Sequence, residues 1–153
     1  MRFTIYFALI LSLVFFSGCG GGVNPLGTVH IEGTITLDGS PIEGANITLF
    51  PRDGEHAAGG LTDANGRFIV QTAGAPFGSG AKPGEYDVVI RKIHVASAGL
   101  SDEEIIQRFG SGMPPVTHLI PERYGDVRAS GIDPITVTTD RRQNIFRFEL
   151  SSE

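Results

Sequence analysis

Val29-His30-Ile31-Glu32-Gly33-Thr34-Ile35-Thr36-Leu37-Asp38-Gly39 carries the pattern that sets the fold class. In an extended chain Val29, Ile31, Gly33, Ile35 and Leu37 share one face, and His30, Glu32, Thr34 and Thr36 share the other. Successive strand side chains point to opposite faces, so a period of two marks a strand half buried against a core. Asp38-Gly39 supplies turn residues, and Pro41 is expected to keep the connection out of regular pairing.

The same rhythm continues downstream. Ala45, Ile47 and Leu49 alternate in a second strand that ends at Pro51, and Pro51 to Ala58 reads as a polar loop. A short strand, Gly59 to Thr62, leads into Asp63-Ala64-Asn65-Gly66, a tight-turn sequence whose Gly accepts a positive φ without steric cost. Arg67 to Gln71 returns with Phe68 and Val70 on one face, and Thr72 to Gly84 reads as a flexible loop rich in Gly, Ala, Pro and Ser. Glu85 to Arg91 places Tyr86, Val88 and Ile90 inward. Two strands close the chain: Ile132 to Thr138, where Pro134 predicts an edge, and Asn144 to Leu150, with Phe146, Phe148 and Leu150 inward. Seven short strands at near-regular spacing predict an all-β fold of two packed sheets.

Residues 93–131 interrupt that spacing. Within them Ser101-Asp102-Glu103-Glu104 is a capping box, Ile105, Ile106 and Phe109 form an apolar stripe, and Gly110 stops the helix. Pro114, Pro115 and Pro121 predict irregular chain for the remainder.

The N-terminus is different in kind. After Met1-Arg2, Phe3 to Phe16 is apolar except at Thr4 and Ser12, and Ser17-Gly18 precede Cys19. A positive start, an apolar run and a small-residue exit describe a secretory leader, residues 1–18; the run is shorter than the roughly 20 residues that span a bilayer. Cys19 is the one cysteine in the chain, so no internal disulfide is available. Phe16-Ser17-Gly18-Cys19 resembles the bacterial lipobox, with Phe16 where an aliphatic residue is usual. The resemblance implies a diacylglyceryl thioether on Cys19, palmitate among its acyl chains, and anchorage of an exported protein to a membrane of the cell envelope, outer or periplasm-facing. Residues 19–28 are expected to be the lipidated Cys and a flexible tether, 29–150 the domain, and 151–153 a short tail.

Loss of the leader removes Arg2 and leaves the formal charge one unit more negative than −5. An acidic domain without Trp and without a basic run does not fit nucleic-acid binding. His30, His56, His94 and His118 are widely spaced, whereas a zinc site needs three or four converging ligands. Asp63 and Asn65 are too few oxygen donors for an EF-hand loop, so Asp63, Asn65 and Gly66 are expected to build a structural turn. No Gly-x-Ser-x-Gly elbow and no phosphate-loop ending occurs. Neither a cofactor nor catalysis is implied.

Ile31-Glu32-Gly33-Thr34-Ile35-Thr36-Leu37-Asp38-Gly39-Ser40-Pro41-Ile42-Glu43-Gly44-Ala45-Asn46-Ile47 resembles the opening of carboxypeptidase regulatory-like domains. Thr62-Asp63-Ala64-Asn65-Gly66-Arg67-Phe68 is similar to their Thr-Asp-x-x-Gly-x-Phe motif, and Lys82-Pro83-Gly84-Glu85-Tyr86-Asp87-Val88 to their Pro-Gly-x-Tyr strand start. Ile120-Pro121-Glu122-Arg123-Tyr124 and Ser130-Gly131-Ile132 resemble the version common in small bacterial lipoproteins. The resemblance, over Val29 to Leu150, implies a seven-stranded transthyretin/prealbumin-like β-sandwich with one short helix in a long insertion. It also implies a folding, regulatory or binding module without catalytic activity. The alternative is a carbohydrate-binding module, for which Phe77, Tyr124 and Phe109 are the aromatic candidates.

If every connection reverses direction, the Asp38 turn, the Asp63 turn and the insertion lie at the end far from the tether, and Pro51 to Ala58 and Thr72 to Gly84 at the tethered end. The insertion is then the candidate surface for an envelope protein or glycan, through Phe109, Met113, Arg123 and Tyr124.

Overall fold

The computed structural model describes residues 26–54 and 56–153. The leader, Cys19 and most of the expected tether lie outside them. The described chain is mostly β, with eleven strand segments and one α-helix among these residues. Thr28, placed in the expected tether, is already buried, and Val29 pairs with Ala81.

One sheet centres on β1 (Glu32–Leu37). On one side β1 pairs in parallel with β11 (Ile145–Leu150); on the other it pairs antiparallel with β2 (Ser40–Pro41) and β5 (Arg67–Ile69). The second sheet has the order β10, β7, β3, β4, β6, with every neighbour antiparallel. Its strands are β3 (Asn46–Pro51), β4 (Ala58–Leu61), β6 (Gln71–Thr72), β7 (Gly84–Arg91) and β10 (Ile135–Val137). Val70 joins β5 to β6: its N–H donates to Ile31 O in the first sheet, and the chain then passes to β4 in the second. A single expected strand, Arg67 to Gln71, therefore serves both sheets.

The inward residues of both sheets form one core. Ile31, Ile35, Ala45, Ile47, Leu49, Val70 and Ile90 are fully buried, joined by Phe68, Tyr86, Val88, Phe148 and Leu150. Gly33 sits opposite Phe68 in the β1–β5 register, and a Cβ there would lie 2.6 Å from the Phe68 ring. That vacancy lets the ring lie flat across β1, its centroid 6.1 Å from that of Phe148.

Three expectations need correction. Pro41 does not keep the connection out of regular pairing: Leu37 pairs with Ser40 and Thr36 with Pro41. Asp38 and Gly39 both have positive φ, 50° and 79°, which is the geometry of a two-residue hairpin turn. Second, the insertion is less irregular than its prolines predict, because β8 (Ile93–Val95) and β9 (Val116–His118) pair as an antiparallel ribbon. Pro114 and Pro115 end just before β9, so no ladder amide is lost. Third, Thr72 to Gly84 is held rather than loose: Thr72 N–H and hydroxyl donate to Ser79 Oγ and Gly80 O, and Gly80 N–H donates to Val70 O.

The helix α1 (Asp102–Phe109) begins and ends where its signals place it, with Ser101 as N-cap and Gly110 as C-cap. β10 is an edge strand, and it starts directly after Pro134.

Candidate functional site

The strand registers divide the turns between two ends. Leu37 lies beside Leu150 and Asn46 beside Arg91, which gathers the Asp38 turn, the Asp63 turn, the insertion and the C-terminus at one end. Val29, Ala81 and Pro51 mark the other.

At the far end the Asp63 to Gly66 turn is fastened by its own first residue. Asp63 Oδ1 accepts from Asn65 N at 2.8 Å and Arg67 N at 2.9 Å, and Asp63 O accepts from Gly66 N at 2.9 Å. Gly66 has φ +72°, and its carbonyl accepts from Ile35 N at 2.8 Å, which ties the turn to β1. Asp63 Oδ1 is thus committed to backbone amides. Among the described residues no three His, Cys, Asp or Glu side chains are placed to hold a metal ion. His30 lies 3.6 Å from Glu32, which also pairs with Arg67 at 3.9 Å, and His118 lies 3.8 Å from Glu122.

The insertion separates its four candidate residues by role. Tyr124 is buried in a 3-10 turn, Glu122–Gly125. Its hydroxyl accepts from Ser151 N at 2.8 Å, and Arg123 donates to Ser151 O at 2.6 Å with its guanidinium 4.7 Å from the Tyr124 ring centre. These two side chains clasp the end of β11. Asp38 adds to the clasp by accepting from Ser152 N at 3.1 Å, and the side-chain and backbone hydrogen bonds from Ser152 hold its carboxyl below the usual range. Phe109 is half-buried at the end of α1, and Met113 is 92% exposed. No hydrogen bond or ring contact described joins either to the Arg123–Tyr124 pair.

The helix itself buries no residue and is fixed locally. Glu104 Oε2 accepts from Ser101 N at 2.8 Å, and Ser101 Oγ accepts from Glu104 N at 3.3 Å. The bond from Ser101 N foremost, and a second from the Ser101 hydroxyl to Glu104 Oε2 at 2.9 Å, hold the Glu104 carboxyl below its ordinary range. Ile106 is left exposed on the apolar stripe.

Among the depressions that lie away from the insertion, two stand out by their lining. At the Val29 end a cavity of about 350 Å³ is lined by Leu26, Thr28, Pro51, His56, Lys82 and Tyr86. The Tyr86 hydroxyl donates to Lys82 O at 2.9 Å, and burial pushes its ionisation upward, so it is a neutral wall at physiological pH. The second is an open trough of about 470 Å³ on the outer face of β3, β4 and β6. Asn46, Thr48 and Gln71 give it polar side chains, Gly59 and Gly60 its floor, and Phe77 its rim. The Phe77 side chain is 80% exposed. A Cβ on Gly59 would come 2.8 Å from Ile47 O, so close strand packing imposes the glycine, and its missing side chain makes the hollow. The double glycine was the signal for this trough in the sequence, read there only as strand.

No protein-family model, no curated protein and no solved structure matches the chain.

Proposed function

We propose that this chain is a lipid-anchored, non-catalytic module of the bacterial cell envelope, a transthyretin-like β-sandwich of the carboxypeptidase regulatory-like kind. The carrying observation is the placement of its single cysteine, directly after an apolar leader with a positive start and directly before the Gly-rich segment. Two or more acyl chains anchor a protein stably where one does not. The nine residues between Cys19 and Val29 can extend about 30 Å. Because the tether enters at the end opposite the insertion, the reading turns the insertion, the Asp63 turn and the C-terminus away from the membrane. The Cys19→Ser protein is expected to lose incorporation of labelled palmitate and to leave the membrane fraction. Continued labelling of that variant refutes the anchor.

The trough beside Phe77 favours a second reading, a glycan-binding module. An exposed ring can stack on the apolar face of a pyranose, and Asn46, Thr48 and Gln71 lie along the same groove to meet hydroxyl groups. Of the three aromatic candidates, Tyr124 is withdrawn into the core and Phe109 is half-buried, which leaves Phe77 to stack. Calorimetric titration with soluble peptidoglycan fragments tests it. Phe77→Ala is expected to weaken binding about tenfold, the equivalent of ~1.4 kcal/mol of stacking. Equal binding by the variant, or none by the wild type, ends this reading.

A further inference from the structure

Sheet edges are where a β protein is open to pairing, and natural edges are commonly kept short, interrupted by Pro, or charged. β10 has three residues and follows Pro134, while β2 and β6 have two each. β11 is the exception among the described strands. It runs six residues at the margin of its sheet, Ile145-Phe146-Arg147-Phe148-Glu149-Leu150, without Pro or Gly.

Its hydrogen-bonding groups have a definite orientation. Asn144 O accepts from Glu32 N and Leu150 O from Asp38 N, so the even-numbered residues face β1. In a parallel pair the intervening residues then face away. The amides and carbonyls of Ile145, Arg147 and Glu149 point outward, and no bond to them from another segment is described. Beyond them Ser151 is already occupied by Arg123 and Tyr124, which sets the upper limit of the open edge.

We propose that this edge pairs with the same edge of a second copy of the chain, antiparallel, about a two-fold axis at Phe148. The charges select the axis. Centred on Phe148, Arg147 of each copy lies directly opposite Glu149 of the other, on the solvent face. Both pairs exchange amide and carbonyl, because both residues present those groups outward. On the inner face Phe148 meets Phe148, and half-buried Phe146 meets Leu150. Centred on Arg147 or on Glu149, like charges oppose each other across the axis, which is destabilising. Centred on Phe146, Arg147 faces Ile145, and Glu149 faces Gln143, which lies outside the strand. An axis between residues sets outward amides against inward ones. Only the Phe148 register exchanges the backbone groups of Arg147 and Glu149 and pairs opposite charges within the strand, with Ile145 falling opposite the occupied Ser151 at each end. This inference does not depend on the lipid anchor or on glycan binding.

The test is sedimentation equilibrium of the purified lipidated protein in detergent. The wild type is expected at the mass of two chains. Arg147→Glu and Glu149→Arg each convert two attractive cross-strand pairs into two repulsive ones and are expected to weaken association at least about tenfold. The double variant, Arg147→Glu with Glu149→Arg, restores the charge pairs and is expected to restore the dimer. Arg147→Pro removes an outward N–H and leaves the ladder to β1 intact, so it is expected to sediment as a folded monomer. A monomeric wild type, single reversals that leave association unchanged, or a double variant that stays monomeric would each overturn the proposal.

Discussion

Replacing Phe68 by Ala is expected to destabilise the domain by about 3–5 kcal/mol, the usual range for removing a buried aromatic ring. Phe68 is 2% exposed, stacks on Phe148, and fills the space that Gly33 leaves open on β1. The three residues belong to β5, β11 and β1, so one ring holds together three strands of the first sheet. Small domains hold only about 5–15 kcal/mol in total. The variant should melt roughly 10–20 °C below the wild type in a calorimetric scan. A shift of a few degrees would show that the neighbouring side chains collapse into the space and that the ring is not the keystone described.

Gly66→Val should cost about 3 kcal/mol, from two separate causes. A β-branched residue resists the positive φ of +72°, and its Cβ would stand 2.5 Å from the carbonyl of Ile35. Asn tolerates that φ better than Val, so Gly66→Asn should lose less; equal losses would assign the whole effect to the carbonyl contact. Calcium should leave the wild-type melting temperature unchanged, since Asp63 Oδ1 is committed to two backbone amides. An upward shift with calcium would show an ion site at the turn.

The features legible in the sequence are those fixed by neighbours along the chain. The alternation around Ile31 and Ile35, the capping box at Ser101 and the Asp63 turn each depend on residues within a few positions of one another, and each is found where its pattern places it. Pairings between distant segments carry no such mark. Nothing in Ile145 to Leu150 says that it lies beside β1, or that it runs parallel to it. The β8–β9 ribbon was hidden because a proline-rich stretch reads as loop until the partner strand is known. Tyr124 looked like a candidate for a partner surface because aromatic residues suit both interfaces and cores. Its hydroxyl meets Ser151 and its ring is buried, a long-range placement that the sequence does not mark. The trough beside Phe77 was missed for the opposite reason. A hollow is made by absent side chains, and Gly59-Gly60, its one signal, reads first as an ordinary stretch of strand.

The parallel pair of β1 and β11 also sets the order in which the molecule can assemble. Its strands are the first and last of the domain, and Asp38 and Ser152, which close its end, are 114 positions apart. Contacts of such long sequence separation form slowly, because a large loop must close before they contribute. A chain emerging from its N-terminus holds β1 beside an empty position until the final residues arrive. The first sheet therefore closes last, when Ile145 to Leu150 take the place beside β1.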